Sequence, residues 1–101
     1  MRIEYKEAAV RDIGETRDYI ADTLKNKSAA QKLVESILRA VSLLADNPEM
    51  GAPLSSKFDI ETDVRFLVVA KQLVFYQASG EVISVLRVID GRRDYMTILF
   101  G

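Results

Sequence analysis

The chain has no cysteine and no histidine. Without cysteine there is no disulfide, no thiolate nucleophile and no thiolate metal ligand. Without histidine, the commonest general acid–base group and the commonest metal ligand are missing as well. No metal site and no cofactor are expected. Neither sign of charge is in excess: 14 Lys and Arg stand against 15 Asp and Glu, a net charge of −1. The second half is balanced too, with Lys57, Arg65, Lys71, Arg87, Arg92 and Arg93 offset by Asp59, Glu61, Asp63, Glu81, Asp90 and Asp94. A protein that holds nucleic acid chiefly through phosphates shows a clear positive surplus. Long apolar runs are also missing. No segment reaches the ~18 residues that a membrane span needs, and Met1–Lys6 is polar, without a signal-peptide core. The expectation is a cytoplasmic protein with no membrane partner.

What is present is 101 residues, 49% hydrophobic and 29% charged. That composition suits one globular domain over 1–101, with one core and room for one shallow working face. Ile3 to Tyr5 reads as a short first strand. From Ala8 to Leu24, the apolar residues Val10, Ile13, Ile20 and Leu24 recur at helical spacing, with Asp12 off that stripe. Asn26 is a candidate left-handed residue to end this helix. Ser28 and Gln31 form an S-x-x-Q capping box for a second helix. Its stripe is Leu33, Ile37, Ala40, Val41 and Leu44, and Asp46-Asn47-Pro48 stops it. Two helices with a short polar link imply an antiparallel hairpin.

Pro48 to Asp63 carries both prolines and no periodicity, so a loop is expected. Val64 to Ala70 is nearly all apolar and β-branched, a strand covered on both faces. A tight turn at Lys71-Gln72 leads to a strand over Leu73–Gln77. A glycine turn follows over Ala78–Glu81, and then a long strand over Val82–Ile89. Arg92 to Gly101 is left as a basic, aromatic tail. Strand, helix pair and strand meander make an α+β fold: an N-terminal helical hairpin packed on a small antiparallel sheet.

The residues that can carry chemistry sit in that tail. Arg87, Arg92, Arg93 and Tyr95 fall around the turn that ends the last strand. Arginine forks match phosphate and carboxylate, and tyrosine adds stacking and an O–H donor. Two readings stay open: a working turn, or Arg93 paired with Asp90 or Asp94 while Arg92 is solvated. Arg87 is open as well. By strand alternation it shares a face with Ile83, Val85 and Ile89. It is either a buried, paired structural group or part of a working face.

The run Arg87-Val-Ile-Asp-Gly-Arg-Arg-Asp-Tyr-Met-Thr-Ile-Leu-Phe100, after a helical hairpin and the hairpin Val74-Phe-Tyr-Gln-Ala-Ser-Gly-Glu-Val82, resembles the RelE/ParE toxin superfamily. The element order matches along the whole chain, while the specific motif covers about residues 73–100. The resemblance implies the toxin of a type II toxin–antitoxin system, of the kind linked to plasmid stabilisation. It also implies a cognate antitoxin, in a heterodimer or heterotetramer. Two mechanisms divide the superfamily. RelE-type members are ribosome-dependent mRNA endoribonucleases that use sheet lysines and arginines and a basic, Tyr or His residue near the C-terminus. ParE-type members bind DNA gyrase instead.

In the nuclease branch the resemblance makes Arg65, Arg87, Arg93 and Tyr95 the catalytic set. Arg93 matches the arginine after the last strand, Tyr95 is a loose match for the C-terminal tyrosine, and Arg65 lies near a sheet lysine. Leu73 stands where an arginine is expected, and Leu67 where a second lysine is. Cleavage through a 2′-OH needs a base, an acid and cations around the phosphate. With no histidine, tyrosine or lysine would serve from pKa values of about 10, and lowering those takes dense positive charge. The balanced charge argues against it. The expectation is therefore a ParE-like, non-enzymatic toxin that inhibits growth by binding DNA gyrase. Lys71, Arg92, Arg93 and Tyr95 would then face the target. The ribosome-bound endoribonuclease is the alternative, and a non-toxic binding module of this fold the lesser one.

Overall fold

The computed structural model describes all residues, 1–101. Its elements are β1 (Arg2–Tyr5), α1 (Glu7–Asp18), α2 (Lys27–Ser42), β2 (Ala52–Pro53), β3 (Arg65–Val69), β4 (Gln72–Ser79), β5 (Val82–Asp90) and α3 (Tyr95–Phe100). The sheet order is β1-β5-β4-β3-β2. The α+β class and the meander are as the sequence implies. One pairing differs, because β1 runs parallel to β5 with Ile3 opposite Ile83 and Tyr5 opposite Val85. That makes the sheet mixed, with an antiparallel body. No helix is long and apolar enough to cross a membrane.

Both faces of the sheet are covered over β4 and β5. Ala9 of α1, Ile37 and Val41 of α2, and Leu44 pack on Val74, Tyr76, Ile83, Val85 and Val88. On the opposite face, Leu54 and Val64 pack with Leu73, Phe75 and Ile89, and α3 adds Tyr95, Met96, Ile98 and Leu99. The tail expected to be irregular is thus a short helix. Asp94 caps it by accepting hydrogen bonds from Thr97 N and Oγ1.

Several local readings of the sequence are corrected. The stripe proposed for the first helix holds only in part: Ile13 packs half-buried against the core and Ile20 is half-buried, but Val10 and Leu24 are 56% and 55% exposed, while Ala9 and Asp12 are buried. The helix does not run evenly to Leu24 but loosens into a π-helical turn over Tyr19–Thr23. Lys25, not Asn26, takes the left-handed conformation (φ 56°). Asn26 instead opens α2, its side chain accepting from Ala29 N at 3.0 Å, so Ser28 is not the cap. The expected loop over 48–63 contains β2 and a short helical turn at Leu54–Ser56.

β3 is not covered on both faces, since Val68 is 64% exposed. β2 pairs only with Phe66 and Arg65, which leaves the rest of that edge open. The β3–β4 turn falls at Ala70-Lys71, with Ala70 at φ 55°, and Gln72 already belongs to β4.

β5 holds the most consequential departure. Phe75 is opposite Arg87 but Tyr76 is opposite Val85, so Leu86 is an extra residue, a β-bulge. Strict alternation would put Val85 and Val88 on opposite faces. The bulge restores both to the helix side, and Leu86 packs with the other cluster.

The fully buried Ile37 anchors α2, whereas Arg39 is exposed. Ile37→Ala should lower stability by about 2–5 kcal/mol, and Arg39→Ala should change it by less than about 0.5 kcal/mol. Urea unfolding of the two variants checks this. Equal losses would contradict the packing.

Candidate functional site

The turn after β5 is built from Asp90 outward. Asp90 Oδ1 accepts from Arg92 N at 2.8 Å and from Arg92 Nε at 3.0 Å, and Oδ2 accepts from Nη2 at 2.8 Å. A carboxylate gripped by that fork prefers to stay ionised. The Arg92 side chain, the largest cause, and its backbone N–H hold the Asp90 pKa down at about 2. Gly91 N donates to Lys71 O at 2.9 Å, tying the turn to the β3–β4 connection. Of the two pairings left open in the sequence, the structure shows a third. Arg92 takes Asp90, Asp94 is occupied by Thr97, and Arg93 is exposed with no ion pair.

Arg87 is the structural group among the alternatives. Its Nε donates to Asp12 Oδ2 at 2.7 Å and its Nη2 to Asp12 Oδ1 at 2.9 Å. Asp12 Oδ2 also accepts from Val88 N at 2.9 Å. The Arg87 side chain is 29% exposed and that of Asp12 only 9%. Hydrogen bonding to Asp12 raises the Arg87 pKa beyond its already high value, burial opposing it. This is a two-pronged ion pair across the helix–sheet boundary.

Arg65 is held elsewhere. Its Nη1 donates to Gly51 O at 2.7 Å and to Glu49 O at 3.4 Å. Beside it the buried Tyr76 hydroxyl donates to Pro48 O and accepts from Gly51 N, both at 2.8 Å. Gly51 is required there, because a Cβ would lie 2.6 Å from the Tyr76 ring and 2.7 Å from Phe66 O. Arg65 therefore latches a loop.

Tyr95 packs its ring 5.4 Å from that of Phe75 and 6.0 Å from that of Phe58. Lys57 Nζ stands 5.4–5.8 Å from the ring centres of Phe58, Phe66 and Tyr95. Such a cation over aromatic faces is attracted by their quadrupoles.

The four residues named for nuclease chemistry do not converge. Arg65 lies at the start of β3 opposite Tyr76, Arg87 reaches α1, Tyr95 is packed on the far face, and Arg93 is free in the turn. Among the target-facing candidates, Lys71, Arg92 and Arg93 do cluster at one end of the sheet. Leu73 is buried and Leu67 half-buried in the core clusters, so neither position offers a cation.

Sequence reasoning missed Asp12 and Lys57. The signal for Asp12 was available in the alternative that paired Arg87. An acid on a helix was needed, and only the phase error hid it.

A family model described as the ParE toxin of the type II toxin–antitoxin system parDE matches residues 3–95. Among solved structures, a chain of the chromosomal ParDE toxin–antitoxin system from P. aeruginosa is similar, with a TM-score of 0.74 and 23% identity. That match covers 89% of this chain and 95% of that one. A chain of the E. coli DinJ-YafQ complex superposes with a TM-score of 0.53 at 18% identity, and an E. coli YafQ mutant with 0.52 at 18%. In both cases all of both chains is covered. These likenesses establish the fold. A search of curated proteins finds no match.

Two consequences can be measured. Asp12→Ala strands a partly buried guanidinium and an amide, and should cost about 3 kcal/mol in chemical denaturation. The Asp12→Ala/Arg87→Ala double variant should cost less than the sum of the singles. For Asp90 the folded pKa lies below the unfolded one, so its contribution is full above about pH 4. It is lost as pH falls from there through about 2, where the folded group protonates. An NMR titration should find that midpoint, and Arg92→Ala should move it up toward the ordinary carboxylate range. An unmoved midpoint would contradict the fork.

Proposed function

Because the chain belongs to the ParE toxin family of type II toxin–antitoxin systems, within the RelE/ParE superfamily, we propose that it inhibits growth by binding a protein target. DNA gyrase is the target the resemblance implies, and the turn after β5 is the contact surface. The observation that carries this reading is the Asp12–Arg87 pair. It withdraws the central cation of the sheet from any phosphate. The latch at Arg65 and the packing of Tyr95 point the same way. A transition state for RNA cleavage needs preorganised charge at one place, and these side chains are held apart by other partners. The cationic end that remains accessible, Lys71, Arg92 and Arg93, suits contact with a protein or its bound DNA.

A cognate antitoxin is the expected partner, as it is for the ParDE system this chain resembles. The unpaired stretch of β3 beyond Phe66 is an edge that another chain can extend.

The test is induction of the toxin with two readouts, a DNA-damage response and mRNA cleavage. Damage without cleavage is expected. Tyr95→Phe keeps the ring packing and loses only a hydroxyl, so toxicity should survive, at a cost of about 0.5–1.5 kcal/mol at most. Arg93→Ala should weaken target binding by about 2 kcal/mol if it is an anchor. Cleaved mRNA, with a roughly 10²–10⁴-fold loss in Tyr95→Phe, would establish the endoribonuclease instead.

A further inference from the structure

Gln72 is the one side chain in the fold with an enclosed polar atom that has no hydrogen-bond partner. The residue is 7% exposed, and its Oε1 lies inside. The amide nitrogen bonds nothing either, and it is the atom that faces out. Amides of such buried residues are ordinarily paired, so this one is a donor left without an acceptor. Gln72 lines a groove of about 400 Å³ between the linked end of the helical hairpin and the β3–β4 turn. We propose that this groove takes a segment of the target protein in which a glutamate or aspartate stands next to a large apolar side chain. The carboxylate accepts from Gln72 Nε2 and Lys71, and its apolar neighbour lies against the hairpin.

The uncommitted groups decide the chemistry. Three charged residues line the groove: Lys71, Asp90 and Arg92. Asp90 is taken by Arg92, whose Nη1 stays free of that fork. Lys71 is exposed in the turn and makes no ion pair, and Arg93, also unpaired, stands on the adjoining cleft. The groove thus offers donors and cations with no partner, and no unpaired acid. Glu15, an unpaired acid nearby, lines the adjoining cleft but not the groove. Such a set calls for a group that only accepts, and charge-assisted bonds offset the cost of taking a carboxylate out of water.

The walls favour a peptide over a nucleic acid. Tyr19 and Ile20 reach the groove from the π-helical turn, and Leu24 and Leu33 complete its apolar side. Tyr19 and Leu24 are each more than half exposed. A DNA backbone presents phosphates and sugars and has nothing of that size and polarity to lay there. The net charge of −1 also gives phosphates little to hold. A protein segment supplies both halves, an apolar anchor and the acid beside it. The proposal rests on the reading of this end of the sheet as the surface that meets the target.

The experiment titrates the ¹⁵N-labelled protein with the capped dipeptide acetyl-Phe-Glu-amide, following the Gln72 side-chain amide and the backbone amides of Tyr19, Leu24 and Lys71. Saturable shifts with a dissociation constant on the order of 1 mM are expected for so small a fragment, weakening as salt is added. Acetyl-Phe-Gln-amide and acetyl-Ala-Glu-amide should each bind several-fold more weakly, and acetyl-Phe-Lys-amide should not bind. Gln72→Met, which keeps the shape and removes the donor, should weaken binding several-fold. Lys71→Glu, at an exposed turn position that leaves the core untouched, should abolish it. No saturable shift, equal binding of the Glu and Gln dipeptides, or an undiminished response in Lys71→Glu would overturn the proposal. So would a short DNA duplex that shifts the same amides where the dipeptide does not, since it would assign the groove to nucleic acid. In cells, Lys71→Glu should lose toxicity. If it stays fully toxic, the groove is not the target contact while the toxin reading stands. If the unaltered chain does not slow growth, the toxin reading fails on its own, whatever the dipeptide does.

Discussion

β5 outruns its neighbour, and Asp12 deals with the consequence. The parallel partner β1 reaches only Val85, with one further bond from Lys6 N to Val85 O. Beyond that point the outer edge of β5 has no strand beside it. The chain has already turned into α1, and α1 lays Asp12 against the gap. One carboxylate then accepts the Val88 amide and both arms of Arg87. The bulge at Leu86 sets the register, putting Arg87 opposite Phe75 and Val88 opposite Val74, and Asp12 takes the Arg87 fork and the Val88 amide along the open edge. An unpaired edge amide and an unpaired guanidinium would each be costly under a helix. Together with one acid they close the sheet.

That constraint sets the rest of the helical layer. With Asp12 inward, Ala9 must face the sheet and Val10 must face solvent. α1 approaches closely there, and the small side chain of Ala9 allows it. The same rotation carries Thr16 and Tyr19 over the end of β4, where Gln72 lies. On the other face, α3 is held by aromatic packing around Tyr95 rather than by the turn's arginines.

Much of this was legible in the residues. The α2 stripe Ile37, Val41 and Leu44 is the buried one. The meander and its glycine turn, with Gly80 at φ 61°, follow from local turn chemistry. The phase of α1 was not legible, because its stripe of large apolar residues is misleading. The buried set is an alanine and an acid, and hydrophobicity cannot flag an acid whose partner lies 75 residues away. The bulge was hidden for a related reason: the six apolar residues of the nine in β5 fall on both faces, so the pattern does not reveal a slip of one. The site residues divide along the same line. Lys71, Arg92 and Arg93 are set together by one turn. Arg65, Arg87 and Tyr95 depend on partners from distant segments, Gly51, Asp12 and Phe58.

The role of Asp12 is tested most directly by amide hydrogen exchange at Val88, with the Arg87 Nε–H as companion. Both protons are bonded to one carboxylate and to no strand. If Asp12 closes the edge, Val88 should exchange as slowly as the paired amides at the centre of β4 and β5, opening only with the whole fold. In Asp12→Asn, with the fold otherwise intact, both protons should lose that protection together. Rapid exchange at Val88 in the unaltered protein would contradict the account.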